Sequence, residues 1–266
     1  MKLVHLSRLM VCGSLISVAA CGGDSSESTD TGGSNTGGTT GGNATTGSGS
    51  GSAGNNGGSS PDFKVFPIAI YAGFDDNAHT YQAPVIAVTL DGVPLEDGSV
   101  TWSLSDPSFG DLDAEDDGLM ITTKKAGDTM LTATRGGASV SVPLHVYQYS
   151  AEAYAEGEHR YNNEVDDDNP ACSTCHGKGP DLGPDHTQTE LDADPDDEVS
   201  ITFVTGVDPE GRPIAEESEW ADLLEGKPHK WAVTESEKTS LLAYMRALEP
   251  TGYPEYDAPT EEKEQE

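Results

Sequence analysis

Val100-Thr101-Trp102-Ser103-Leu104-Ser105-Asp106-Pro107 reads as a short β-type run closed by an Asp-Pro turn signal. Runs of the same kind lie on either side of it. They occupy residues 85–90 ahead of Asp91-Gly92, 120–123, 130–134 ahead of Gly136-Gly137, and 139–146. Apolar and polar residues alternate at Val140, Val142 and Leu144, and Met130, Thr132 and Thr134 repeat with the same period of two. Several short strands at this spacing predict an antiparallel sandwich over residues 63–149.

The chain before this region has a different character. Residues 22–60 are almost wholly Gly, Ser, Thr and Asn, with no apolar residue larger than alanine. Such a segment cannot bury enough surface to fold and is expected to be a disordered tether, about 35 Å end to end as a coil and about 135 Å when taut. Residues 1–20 combine Lys2 and Arg8 with an apolar stretch too short to span a bilayer, the pattern of an export signal. Its end, Val18-Ala19-Ala20-Cys21, resembles the lipobox of bacterial lipoproteins. The resemblance implies lipid on Cys21, a linker over 21–62 and loss of Cys12 with the signal. Gly22 after the cysteine leans, in that family's pattern, towards the outer membrane, so the expected place is the cell envelope, facing the periplasm or the surface.

After the sandwich comes Cys172-Ser173-Thr174-Cys175-His176, which spells Cys-x-x-Cys-His, the attachment sequence for haem c. Each thiol can bond one vinyl group, and His176 follows directly to reach the iron. The chain has 4 cysteines, and the other two fall in the export segment, so no disulfide framework is left. Two other uses of the pair stay open. A zinc site would recruit His186 or His229, although the usual second ligand pair is missing. A thioredoxin-like pair would lie in a βαβ pattern, and none is visible. The string Asp192-x-Asp194-x-Asp196 lacks the glycine and closing glutamate of a calcium loop. No Ser/His/Asp set or nucleotide loop stands out.

Two family resemblances extend the reading. The stretch 100–106, Gly118 with Met120-Ile121-Thr122, and Ala126 with Gly127-Asp128-Thr129-Met130-Leu131-Thr132-Ala133-Thr134 resemble group 2 bacterial immunoglobulin-like domains. That family places its tryptophan between the sheets, which implies this role for Trp102. The region 150–250 resembles the single-haem class I cytochrome c fold. Gly157-Glu158-His159-Arg160-Tyr161 looks like the end of that family's first helix, with Asp166-Asp167-Asp168-Asn169-Pro170 as an inserted loop. Gly177-Lys178-Gly179-Pro180-Asp181-Leu182-Gly183-Pro184 looks like the loop under the haem. There the carbonyl of Pro184, or alternatively Pro180, would accept the N–H of His176. The fold class expected is therefore multidomain, an immunoglobulin-like β-sandwich followed by an all-α cytochrome c domain and an acidic tail over 251–266.

The last helix is legible without a family. Thr234 to Glu237 forms a Thr-x-x-Glu capping box, and Leu241, Tyr244, Met245 and Leu248 fall on one face before Pro250. Residues 195–205 alternate as a strand might at Val199, Ile201 and Phe203. Asp194-Pro195 at one end and Gly206 at the other favour a helix instead.

The second iron ligand is less direct. Met245 belongs to the packing stripe of the last helix, and where the cytochrome family carries a distal methionine this chain has Lys227-Pro228-His229-Lys230-Trp231. His229 is the expected distal ligand, with His186 and Met245 as alternatives. From residue 150 onward there are 31 acidic against 8 basic side chains, most of the net charge of −33. Nucleic acid is excluded by that sign, and partners with basic docking surfaces are favoured. The expectation is an electron-transfer protein, anchored to the membrane by lipid, that passes single electrons between redox partner proteins. A haem enzyme such as a small peroxidase, or an adhesion lipoprotein with an accessory haem domain, is the alternative.

Overall fold

The computed structural model describes residues 61–95, 98–165, 169–176, 186–208, 211–214 and 229–256. The export segment, Cys21, the tether up to residue 60, Pro180, Pro184 and the tail from residue 257 lie outside them. Among the described residues eight strands form two four-stranded sheets, with β1 Phe63–Phe66, β2 Ile70–Phe74, β3 Gln82–Thr89, β4 Thr101–Leu104, β5 Gly110–Glu115, β6 Gly118–Thr123, β7 Gly127–Arg135 and β8 Ala138–Gln148. The strand orders are β1-β3-β6-β5 and β2-β8-β7-β4. Every pairing is antiparallel except β2 with β8, which run parallel.

The two sheets share one core. Phe63, Val65, Val85, Leu119 and Ile121 from the first meet Ile70, Leu131, Ala133, Val142 and Leu144 from the second. Trp102 sits opposite Ala133 on edge strand β4 and packs against this core while staying partly exposed. On β7 the buried positions are Leu131 and Ala133, so Met130, Thr132 and Thr134 lie on the outer face. There Thr132 and Thr134 meet Ser141 and Ser139 of β8 through their hydroxyls at 2.8 and 2.9 Å. Cross-strand hydroxyl pairs suit a solvated face.

The C-terminal part holds α1 Ala151–Asn162, α2 Ser173–His176, α3 Gln188–Leu191, α4 Asp196–Thr205 and α5 Glu235–Arg246. The capping box forms as the sequence predicts, with the Thr234 N–H donating to Glu237 Oε2 at 2.8 Å and the Glu237 N–H donating to Thr234 Oγ1 at 3.2 Å. Residues 196–205 are helical. Val199 and Phe203, one turn apart, are buried while Ile201 faces water, and Gly206 ends the helix at φ 73°, a left-handed conformation that glycine adopts without strain.

These helices do not make an all-α cytochrome c domain after the sandwich, and that expectation is corrected. The described chain is mainly β, with few helices, and no C-terminal all-α cytochrome domain is evident among the described residues. The physical reason is that the helical segment completes its core with residues of the β region. Tyr81 and Tyr149 are buried in one cluster with Tyr161, Phe203, Leu241 and Met245.

The main link is Arg246, the last residue of α5, whose side chain is fully buried. Its guanidinium donates to the carbonyls of Leu191, Asp194 and Tyr71, to Gln188 Oε1 at 3.2 Å and to Asp196 Oδ1 at 3.1 Å. Tyr71 belongs to β2, and its own N–H donates to the Asp192 carbonyl at 2.7 Å. From the far end, Tyr253 donates to Glu115 of β5 at 3.0 Å, and Lys64 of β1 donates to Tyr256 at 3.1 Å.

The helices α1 and α5 cross at Gly157, where an added Cβ would overlap the Ser240 carbonyl. Gly157→Ala is expected to force the helices apart and cost about 1–3 kcal/mol, read as a lower midpoint in urea unfolding; an unchanged midpoint would show that the crossing is loose. Asp192 is 1% exposed and its Oδ2 has no hydrogen-bond partner. Burial pushes its carboxyl well above the usual range, Arg246 opposing the shift and Asp194 and Glu190 adding to it. The folded state therefore holds this proton more tightly than the unfolded chain, so this contribution is full below about pH 4 and is lost as pH rises towards the raised folded value. The Tm advantage of Asp192→Asn over the parent should widen between pH 4 and pH 8, and a constant gap would overturn this reading.

Candidate functional site

Helix α2 is a single turn built on the Cys172 carbonyl, which accepts the N–H groups of Cys175 at 3.2 Å and His176 at 3.0 Å. The turn sets Cys172 and Cys175 three residues apart on one face, with His176 next to them. Both cysteines are free thiols, Cys172 buried and Cys175 half-buried. Burial pushes the Cys172 thiol up to about 11, with the Arg160 guanidinium opposing the shift, and burial also raises Cys175. A reactive thioredoxin-type cysteine needs the opposite shift.

The lead-in to this turn is fixed from two sides. At the end of α1, Arg160 is buried, and its Nη1 donates to the carbonyls of Asn163 and Pro170, each at 3.4 Å. From the segment before α5, the Trp231 indole N–H donates to the same Pro170 carbonyl at 3.0 Å. Tyr161, also buried, donates from its hydroxyl to the His176 carbonyl at 3.1 Å and lies 3.3 Å from His186 Nδ1.

Three imidazoles come together here. The His186 ring stacks on His176 at 3.7 Å between centroids, and the His229 ring meets His176 edge to face at 5.9 Å. Trp231 stands edge to face with His229 at 4.4 Å. His229 Nδ1 is buried without a hydrogen-bond partner. Burial, and then the neighbouring His176, hold its imidazole down at about 4.

Of the residues singled out in the sequence, His176, His186 and His229 bring their rings together, and Cys172 and Cys175 share the turn that carries His176. Met245 lies buried in the stripe of α5, within the apolar cluster. Pro184 and Cys21 fall outside the described residues. Among the described residues no three His, Cys, Asp or Glu side chains form a metal-holding group. Arg160 and Trp231 carried no weight in the sequence reading. Their signal was adjacency, Arg160 to Tyr161 and Trp231 two places from His229.

No protein-family model and no curated protein matches the chain. Among solved structures the chain is similar to domains 4 and 5 of the S-layer protein SbsC, at 15% identity and a TM-score of 0.26, over 33% of this chain and 51% of that one. The chain thus spans about half of that structure, and so low a likeness carries no argument.

The two thiols should differ in reactivity before any group is attached. Iodoacetamide at pH 8 is expected to label Cys175 faster than Cys172, because both access and thiolate fraction are smaller at Cys172. Time-resolved peptide mass spectrometry reads this, and equal rates would mean that Cys172 is not held as described.

Proposed function

We propose that the chain is an exported single-electron carrier, with one haem c bonded through Cys172 and Cys175 and anchored to the membrane by lipid on Cys21. His176 and His229 are the iron ligands in this reading. The observation that carries it is the attachment pattern laid on one helical turn, with a buried and unpartnered imidazole nitrogen of His229 beside His176. A buried ring nitrogen with no protein partner is costly unless something bonds to it. Two thiols and two imidazoles match the donors such a group needs.

When bound, the group supplies a couple between Fe(II) and Fe(III). The chain's own residues hold and shield it. Cys172 and Cys175 fix its edge, and the Tyr161 hydroxyl pins the carbonyl of His176. Val199, Phe203 and Trp231 belong to the same apolar cluster as Cys172 and would shield the group from water. The acidic surface steers basic redox partners at low salt.

Protein matured with a haem-attachment system should keep its haem through acid-acetone extraction and show a low-spin spectrum that sharpens with dithionite. The double variant Cys172→Ala, Cys175→Ala should lose the haem. Complete release of haem from the parent would end the proposal. Rapid cyanide binding by the oxidised parent would favour a haem enzyme over a carrier.

A further inference from the structure

The segment 229–232 is held by two bonds to the lead-in of the Cys172 turn and one to α4, none of which the attachment motif requires. The Trp231 indole N–H donates to the Pro170 carbonyl at 3.0 Å, its backbone N–H donates to the Phe203 carbonyl at 2.9 Å, and the Ala232 N–H donates to Asn169 Oδ1 at 3.0 Å. Pro170 stands two residues before Cys172 and Phe203 belongs to α4, so Trp231 ties His229 to both. The other wall of this clamp is Gly206, where a Cβ would come within 2.8 Å of the His229 carbonyl. A long stretch of chain, 53 residues, separates His229 from His176. Loop closure over that length does not by itself fix an imidazole to a fraction of an ångström. A side-chain bond that bridges the two segments does.

We propose that Trp231 is a positioning residue that clamps the His229 segment to the Cys172–His176 turn and so keeps His229 from leaving its ligand position. This rests on the reading of His229 as an iron ligand. Trp231 touches no reacting atom. Its indole N–H donates to the Pro170 carbonyl, and its ring stands at right angles to the His229 imidazole. Phenylalanine at this position keeps the apolar wall and loses the N–H donor, which makes it the informative change.

The experiment uses the full chain, with haem attached and without. In the haem-loaded protein, Trp231→Phe is expected to retain covalent haem and a low-spin spectrum, while carbon monoxide binding to the reduced form becomes about tenfold faster, the effect of losing about one hydrogen bond. His229→Ala sets the upper limit of that rate. In the haem-free protein, diethyl pyrocarbonate followed by peptide mass spectrometry should modify His229 several-fold faster in Trp231→Phe than in the parent, with His145 on the outer face of β8 as an internal reference. Parent-like carbon monoxide binding in Trp231→Phe, alongside an open His229→Ala, overturns the clamp, whatever the labelling shows. Unchanged labelling of His229 overturns it as well. If His229→Ala stays as closed as the parent, or if the parent attaches no haem, the ligand reading itself fails and takes the clamp with it. Failure of Trp231→Phe to fold, seen by circular dichroism, would show that Trp231 supports the fold as a whole, and this too counts against a positioning role.

Discussion

A guanidinium without water has to be fully bonded or it destabilises the protein by several kcal/mol, and Arg246 is placed under that constraint. Its partners come from four separate places: β2, α3, the link from α3 to α4, and the first residue of α4. Removing any of these elements would leave the charge short of acceptors. The helical segment is therefore bound to the sandwich by a requirement of charge as well as by apolar contact. Tyr149 extends the same junction, donating to Asp196 Oδ2 at 2.5 Å. A helical unit that would fold by itself has no use for a carbonyl of a neighbouring strand.

From that junction two lines of contact lead to the cysteine turn. One passes from α5 to α1 at the Gly157 crossing and along α1 to Arg160 and Tyr161, which hold Pro170 and His176. The other passes through α4 to the Phe203 carbonyl, then to Trp231 and His229. The imidazoles of His176 and His229 are thus referenced to one frame by different routes. The two lines meet again at the Pro170 carbonyl, which accepts from Arg160 on one side and Trp231 on the other.

Elements governed by local chemistry were legible in the sequence. The Thr234 box, the Gly206 stop and the Gly136-Gly137 hairpin each depend on residues within a few positions. Strands β1, β2 and β5 were not picked out individually, because their pairing comes from elsewhere in the chain. Strand β5 is acidic, with Asp111, Asp113 and Glu115 on an edge that tolerates charge, and it is held by its ladder with β6. The parallel pairing of β2 with β8 joins residues 74 positions apart and leaves no local trace. Arg246 reads as an ordinary basic residue near a helix end, and only tertiary structure turns it into the buried junction that denies the helices a domain of their own. At the site, the motif gave Cys172, Cys175 and His176, while the approach of His186 to His176 depends on chain folding that spacing does not encode.

Burial at Cys172 bears on which sulfur chemistry the site accommodates. A free thiolate there is penalised, as the rise of its thiol to about 11 expresses, and thiol exchange proceeds through thiolate. A thioether carries no ionisable proton, so bonding the sulfur to carbon removes that penalty while the sulfur stays buried. The same argument applies across the turn. A charged His229 is disfavoured by the burial that leaves its Nδ1 without a partner, and a neutral imidazole is the form that can donate an electron pair. The apolar cluster around the turn thus disfavours charge on both the Cys172 sulfur and the His229 imidazole.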